Sequence, residues 1–318
     1  MRNIMKNKKV VITGGCGFIG ANLVYALFKD NEVVVIDDIS TGKLENIDEL
    51  IKNQEITLIK GDIRDLDLLK TTFSNADYIF HLASIPSVIM SIKEPELTNE
   101  VNITGTMNVL IAAKENGVKK VIFASSAAVY GNIPTVPLTE DMPPLPDSPY
   151  GAQKLGGEHY LRVFYEVYGI ATTSLRFFNV FGPKQDPKSE YSPVIPKFIT
   201  RLVKNTPPVI FGDGNQTRDF IFVEDIVNAN ILAAENSASN GKSINIACGM
   251  ETSVNDLAQK IKDILGKDIR AEHIEPKEGE IIRSLADISL AQTLLGFKPK
   301  YSLEDGLKVT IEHFDSIN

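Results

Sequence analysis

The stretch that most limits what this chain can become is "KVVITGGCGFIGANLVYALFKDNEVVVIDD", residues 9–38. A short apolar run, Lys9 to Thr13, meets a turn rich in Gly14, Gly15, Gly17 and Gly20, and a helix-compatible segment follows from about Phe18 to Lys29. A second β-branched run then ends in acid at Asp37, 17 residues past Gly20. Val10 to Phe28 carries no charge and follows a basic start, so a membrane or export segment has to be weighed, about 18 uncharged residues being the usual spanning length. Four glycines with Thr13 and Asn22 make a poor apolar helix, and no small-residue cleavage site follows a continuous apolar run. The order strand, glycine turn, helix, strand, acid is instead that of a dinucleotide-binding unit.

Each part of that unit has a physical task. Backbone N–H groups must approach a pyrophosphate, which a Cβ would obstruct, and the helix N-terminus beyond them offers unpaired donors and a positive dipole end. Asp37 can accept hydrogen bonds from ribose hydroxyls, and its charge repels a 2′-phosphate, which favours NAD over NADP. The glycines read both as G-x-G-x-x-G from Gly15 and as G-x-x-G-x-x-G from Gly14, so spacing alone leaves the subclass open. A glycine turn that binds nothing is the bland alternative, and the flanking strands and Asp37 weigh against it.

With 318 residues there is room for one large or two smaller domains, and 43% hydrophobic with 23% charged residues suits a soluble globular chain. A net charge of −8 argues against nucleic acid or an anionic membrane as the main partner, since both need a broad basic face. Cys16 and Cys248 make neither a disulfide framework nor a zinc site, and the histidines show no metal spacing, so no metal is expected. A reducing, cytoplasmic setting is the expectation.

Alternation continues after the first unit: strand "EITLIKGD", helix near Asp65 to Phe73, strand "ADYIFHLA", a long helix through Glu100 to Asn116, and strand "KKVIFASS". Apolar strands separated by helices imply an α/β, doubly wound parallel sheet covered on both faces. The proline-rich stretch from Pro134 to Pro149 reads as an ordered surface loop. Ser148 as N-cap and Pro149 at the first helical position then open a helix running to about Tyr168, followed by strand "IATTSLRFF". Beyond Asn179 the pattern breaks into short irregular pieces, a helix from Val223 to about Glu235, and helices near Ser253 to Leu265 and Leu303 to Phe314. This suggests a sheet domain of residues 1–178 plus about 219–248, and a smaller interleaved C-terminal lobe of 179–218 and 249–318. Ligands in such folds bind at the carboxyl ends of the strands.

Tyr150 and Lys154, four apart, share a helix face, which can bring the ammonium near the phenol. The spacing recurs at Tyr25 and Lys29, but there it lies deep in the helix after the glycine turn, whereas Tyr150 opens the helix after the fifth strand. Ser125 and Ser126 close that strand. Taken together, "TGGCGFIG", "GDI" at 61–63, "HLAS" at 81–84, "ASSAAVYG" at 124–131, "SPYGAQK" at 148–154, "LRFFNVFG" at 175–182 and "RDFIFVEDIVNA" at 218–229 resemble the extended short-chain dehydrogenase/reductase family. Within it they are similar to the UDP-glucose and UDP-N-acetylglucosamine 4-epimerases, over nearly the whole chain.

The resemblance implies a mechanism and a set of contacts. Related 4,6-dehydratases carry Asp and Glu just after the strand-five Ser/Thr; here Ala127 and Ala128 stand there, so the elimination machinery is missing. Tyr150 as phenolate would take the sugar 4-hydroxyl proton while hydride passes to NAD, with Lys154 favouring the phenolate and Ser126 binding the 4-oxygen. The 4-keto sugar would turn and take the hydride back on its other face. NAD contacts carried over are Gly14, Gly17, Phe18, Ile19, Gly20, Asp37, Asp62, Ile63, Leu82, Ala83, Asn102, Tyr150, Lys154 and Phe178. For the UDP-sugar they are Ser87, Ser126, Asn179, Val194, Arg218, Lys277, Glu280 and Ser284. The family's Arg-x-Gly-Asp is Lys277-Glu278-Gly279-Glu280 here, which gives up the bidentate fork of Arg. The small Ser284 leaves room for a 2-acetamido group, pointing to UDP-GlcNAc and UDP-GalNAc with UDP-Glc and UDP-Gal also admitted. A UDP-glucuronate 4-epimerase and a non-catalytic NAD-binding sensor are the rival readings, and a homodimer through helices 99–116 and 149–168 is what the resemblance implies.

Overall fold

A computed structural model describes residues 5–187, 193–276, 279 and 281–316. Its frame is a seven-stranded parallel sheet: β1 (Lys9–Thr13), β2 (Glu32–Asp37), β3 (Thr57–Lys60), β4 (Tyr78–His81), β5 (Lys120–Ser126), β6 (Ala171–Phe177) and β7 (Lys242–Ile246), in the order β7-β6-β5-β4-β1-β2-β3. Apart from the edge strand β3, the strands are largely buried on both faces because helices cover both, which is why their sequences read as near-continuous apolar runs. Strand order reverses between β1 and β4, whose registers pair Thr13 with His81, and the crevice beyond their carboxyl ends is the ligand position in doubly wound sheets.

One face is covered by α1 (Phe18–Leu27) and a helix Val223–Glu235, which pack on each other in one apolar cluster with Val10, Ile12, Phe80 and Ile122. The other carries Leu66–Thr72, Thr106–Glu115 and the long helix Pro149–Tyr168. A separate cluster away from the sheet gathers Phe181, Phe198, Leu202, Phe222, Leu257, Ile261, Leu307 and Phe314. Between the two lies a small seam of Val129, Tyr130, Leu138, Phe178, Ala247 and Ala286.

Three expectations change. The helix expected through Glu100 to Asn116 opens as a wide π turn, Glu100–Gly105, before regular helix resumes at Thr106. The stretch 134–149 is not only surface loop: Leu138 is buried and bridges Ala286, which ties the loop to the C-terminal segment. After Asn179 the pieces are less irregular than their sequence suggests. Val194–Val203 is a ten-residue amphipathic helix whose signal is masked by Pro193 and Pro196, both lying where a helix start tolerates proline.

Candidate active site

The helix Pro149–Tyr168 owes its position to its first turn and its glycines. Ser148 Oγ accepts the Gly151 N–H at 3.2 Å, as the cap residue should, and Ser91 Oγ, from the helix Val88–Lys93, accepts the N–H of Tyr150 at 3.0 Å. A Cβ on Gly151 would stand 2.4 Å from Ala128 O, and one on Gly157 would stand 2.7 Å from the Phe123 ring. Only glycines let this helix lie so close to β5 and the turn that follows it.

That closeness brings Ser126, Tyr150 and Lys154 together. The Tyr150 phenol stands close enough to Ser126 for the serine hydroxyl to favour its ionised form. Lys154, 3% exposed, donates from Nζ to Ala124 O at 2.8 Å, and its ammonium lies 5.8 Å from the Tyr150 ring centroid and 4.9 Å from that of Phe123. Burial pushes the Tyr150 phenol up to about 12, with the nearby Ser126 hydroxyl pulling the other way, and brings the Lys154 ammonium down to about 7. Ser125 is engaged further along the same helix: its Oγ donates to Glu158, two turns beyond Tyr150, at 2.5 Å. The competing pair dissolves, since the Tyr25 ring is met by Lys184 at 4.5 Å and Lys29 lies over Phe28.

The glycine turn fits a dinucleotide on this chain's own geometry. Gly14 has φ +76°, and a Cβ there would collide with Ala83 N at 2.6 Å. At Gly20 it would stand 2.1 Å from Gly14 O, which lets the helix start sit against the turn. Gly17 is the N-cap of α1, no side chain caps it, and the first turn carries no acid. The positive end of a ten-residue helix is therefore left to a ligand's anion. Asp37, 7% exposed, accepts the N–H of Cys16 at 2.9 Å and of Ile39 at 2.8 Å, so it braces the turn as well as ending β2. Burial beside Asp37 pushes the Cys16 thiol up to about 12, which makes it a poor nucleophile at neutral pH.

Most of the other expected cofactor residues lie just past strand ends or at the start of α1. Phe18 and Ile19 begin α1, Leu82 and Ala83 follow β4, and Phe178 follows β6. Ile63 packs on Gly105, in the wide π turn. Asp62 accepts a fork from Arg64, whose hydrogen bonds hold its carboxyl below the usual range. Asn102 is buried, with Oδ1 accepting from Ile85 N and Nδ2 donating to Ile85 O and Gln153 Oε1.

Of the sugar-side expectations, Ser87 caps the helix Val88–Lys93 and Val194 is the first residue of its helix. Asn179 pairs with the backbone of Asp219, and Ser284 is buried. Arg218 donates to the carbonyls of Thr217 and Ile281, which ties it to the C-terminal segment. Lys277 and Glu280 lie outside the described residues. Two features escaped the sequence reading. Buried Asp219 accepts N–H groups from Cys248, Gly249 and Ala286, and burial raises it to about 6. Ser40 to Asn46 wraps the glycine turn: a Cβ on Gly42 would meet Cys16 at 2.9 Å, and Lys43 N and Asn46 Nδ2 both donate to Cys16 O. A Gly flanked by Thr41 and Lys43 so soon after Asp37 was the available signal.

Residues 10–247 match the model of the NAD dependent epimerase/dehydratase family. The chain belongs to that family. A UDP-glucose 4-epimerase of Mycolicibacterium smegmatis is 38% identical, over 96% of this chain and 98% of its own. Among solved structures, a UDP-N-acetylglucosamine 4-epimerase from Methanobrevibacter ruminantium M1, in complex with UDP-N-acetylmuramic acid, superposes with a TM-score of 0.95 at 46% identity, covering 99% of this chain and 100% of that one. A UDP-glucose 4-epimerase of Thermotoga maritima with UDP-glucose gives 0.92 at 38% identity, over 97% and 99%. Among the described residues no cluster could hold a metal ion, and no helix is long and apolar enough to cross a membrane.

Proposed function

We propose that this member of the NAD-dependent family is a UDP-sugar 4-epimerase that inverts C4 through a transient 4-keto sugar, and that its principal pair is UDP-GlcNAc and UDP-GalNAc. The carrying observation is Ser126 set against Tyr150 beside buried Lys154, with Ala127 and Ala128 where related dehydratases keep carboxylates. When bound, NAD supplies a reversible hydride acceptor. Tyr150 takes the 4-hydroxyl proton and later returns it, Ser126 binds the 4-oxygen, and Lys154 in its cationic form lowers the energy of the phenolate. With no carboxylate after Ser126, proton and hydride movement is favoured over loss of water.

The division of labour follows the chain: residues 1–178 with about 219–248 hold the cofactor, and 179–218 with 249–318 hold the nucleotide sugar. Ser284 supports the acetamido reading because a small side chain at this buried position leaves space that a Tyr would fill. The relative solved with UDP-N-acetylmuramic acid, itself an acetamido sugar, favours the same side. A homodimer is part of the proposal, supported by Tyr160, Val163 and Val167 left exposed along the helix Pro149–Tyr168.

The test is proton NMR of the purified protein with UDP-GlcNAc and no added cofactor. Appearance of the UDP-GalNAc anomeric signal is expected. Turnover of UDP-glucose alone would sink the substrate assignment, and turnover of UDP-glucuronate alone would replace it with the acid.

A further inference from the structure

The floor of the crevice holds a buried histidine that the reaction does not use. We infer that His81 is a positioning residue, which in one neutral tautomer pins three segments of the cofactor site together. Those segments are the end of β1 at Thr13–Gly14, the backbone after β4 at Leu82–Ala83, and the wide π turn at Asn102.

The tautomer follows from donor counting. Thr106 Oγ1 spends its one proton on Asn102 O at 2.7 Å, so towards His81 Nε2, 2.9 Å away, it can only accept. Nε2 therefore carries the ring proton, Nδ1 does not, and Thr13 Oγ1 donates to it at 2.8 Å. Thr13 Oγ1 in turn accepts the N–H of Ala83 at 3.3 Å. The chain runs in one direction, from the Ala83 amide to the Asn102 carbonyl, and no member is more than marginally exposed except the Ala83 backbone. A proton on Nδ1 would make Thr13 Oγ1 an acceptor from both the ring and Ala83 N, leaving its own proton without an acceptor and Nε2 without a donor. Burial, with Lys154 nearby, lowers the His81 pKa to about 3, which keeps the ring neutral.

Removing any hydroxyl in this chain leaves a buried donor or acceptor unmatched and frees one of the three segments. This inference rests on NAD occupying these strand ends, and the unaltered protein tests that separately by its own NAD affinity. The discriminating pair is Thr106→Val, which keeps the shape and loses the hydroxyl, and Thr106→Ser, which keeps the hydroxyl and loses the methyl. NAD affinity of stripped protein is measured by calorimetry, and the ring state by long-range ¹H–¹⁵N NMR of histidine-labelled protein. Expected are an Nε2–H signal that stays neutral from pH 5 to 9, about tenfold weaker NAD binding in Thr106→Val, and near-unaltered binding in Thr106→Ser. An Nδ1–H tautomer, or a Ser variant more impaired than the Val variant, would overturn it, since the latter is what mere packing predicts. Failure of the unaltered protein to bind NAD would instead strike the cofactor reading.

Discussion

Tyr150 and Lys154 carry opposite costs of burial: the phenol resists losing its proton and the ammonium resists keeping it. In the proposed reaction Tyr150 takes the 4-hydroxyl proton, and removing the phenolic oxygen removes that acceptor. Tyr150→Phe is therefore expected to lose turnover by about 10³-fold while still retaining NAD, read by single-turnover assay and by cofactor released on denaturation. Lys120 shows burial without catalysis. It begins β5, donates to Asn236 O and Ser239 Oγ, and is brought down to about 7 by burial alone. Between about pH 7 and the ordinary lysine value the unfolded chain binds the extra proton, so this residue makes stability rise with pH across that window. Lys120→Met should flatten the rise by up to about 1.4 kcal/mol per pH unit, measured by urea unfolding at pH 7.5, 8.5 and 9.5. An unchanged slope would mean that the buried ammonium keeps its normal pKa.

At the scale of elements, the helix Pro149–Tyr168 is the decisive piece, and much of its making is legible. Ser148 and Pro149 announce its start, and Gly169, at φ +73°, closes it in the left-handed conformation that glycine adopts without strain. Ser148→Ala should cost about 1 kcal/mol of stability and lower kcat, because the capped turn carries Tyr150; thermal unfolding and steady-state kinetics would show both. What the helix rests on was not legible. Gly157 reads as a weak helix residue until the Phe123 ring is seen against it, and Ser91 reads as one polar residue among many until it meets the Tyr150 amide. The wide turn at Glu100–Gly105 was not read from the residue spacing either.

Across the whole molecule, a buried charge network joins the sheet to the seam. Glu158, on the helix stripe of Tyr150 and Lys154, takes two hydrogen bonds from Arg176 on β6, at 2.9 and 2.7 Å. Arg176 reaches Tyr130 at 2.8 Å, and Tyr130 donates to Asn245 on β7, also at 2.8 Å. Arg176→Met should destabilise by about 3–5 kcal/mol by leaving Glu158 buried and unpaired. Adding Glu158→Gln should recover part of that loss, a non-additivity that chemical unfolding would reveal. By itself the sequence determined the doubly wound sheet, the glycine turn with Asp37, and the pairing of Tyr150 with Lys154, because each is written in local periodicity or in spacing along one element. The tertiary structure alone decided that Ser126 and not Ser125 meets Tyr150, that Asp219 gathers the backbone around Ala286, and that His81 has a single tautomer. Those depend on which donors and acceptors far-apart segments bring together, and nothing in the order of residues along the chain records that.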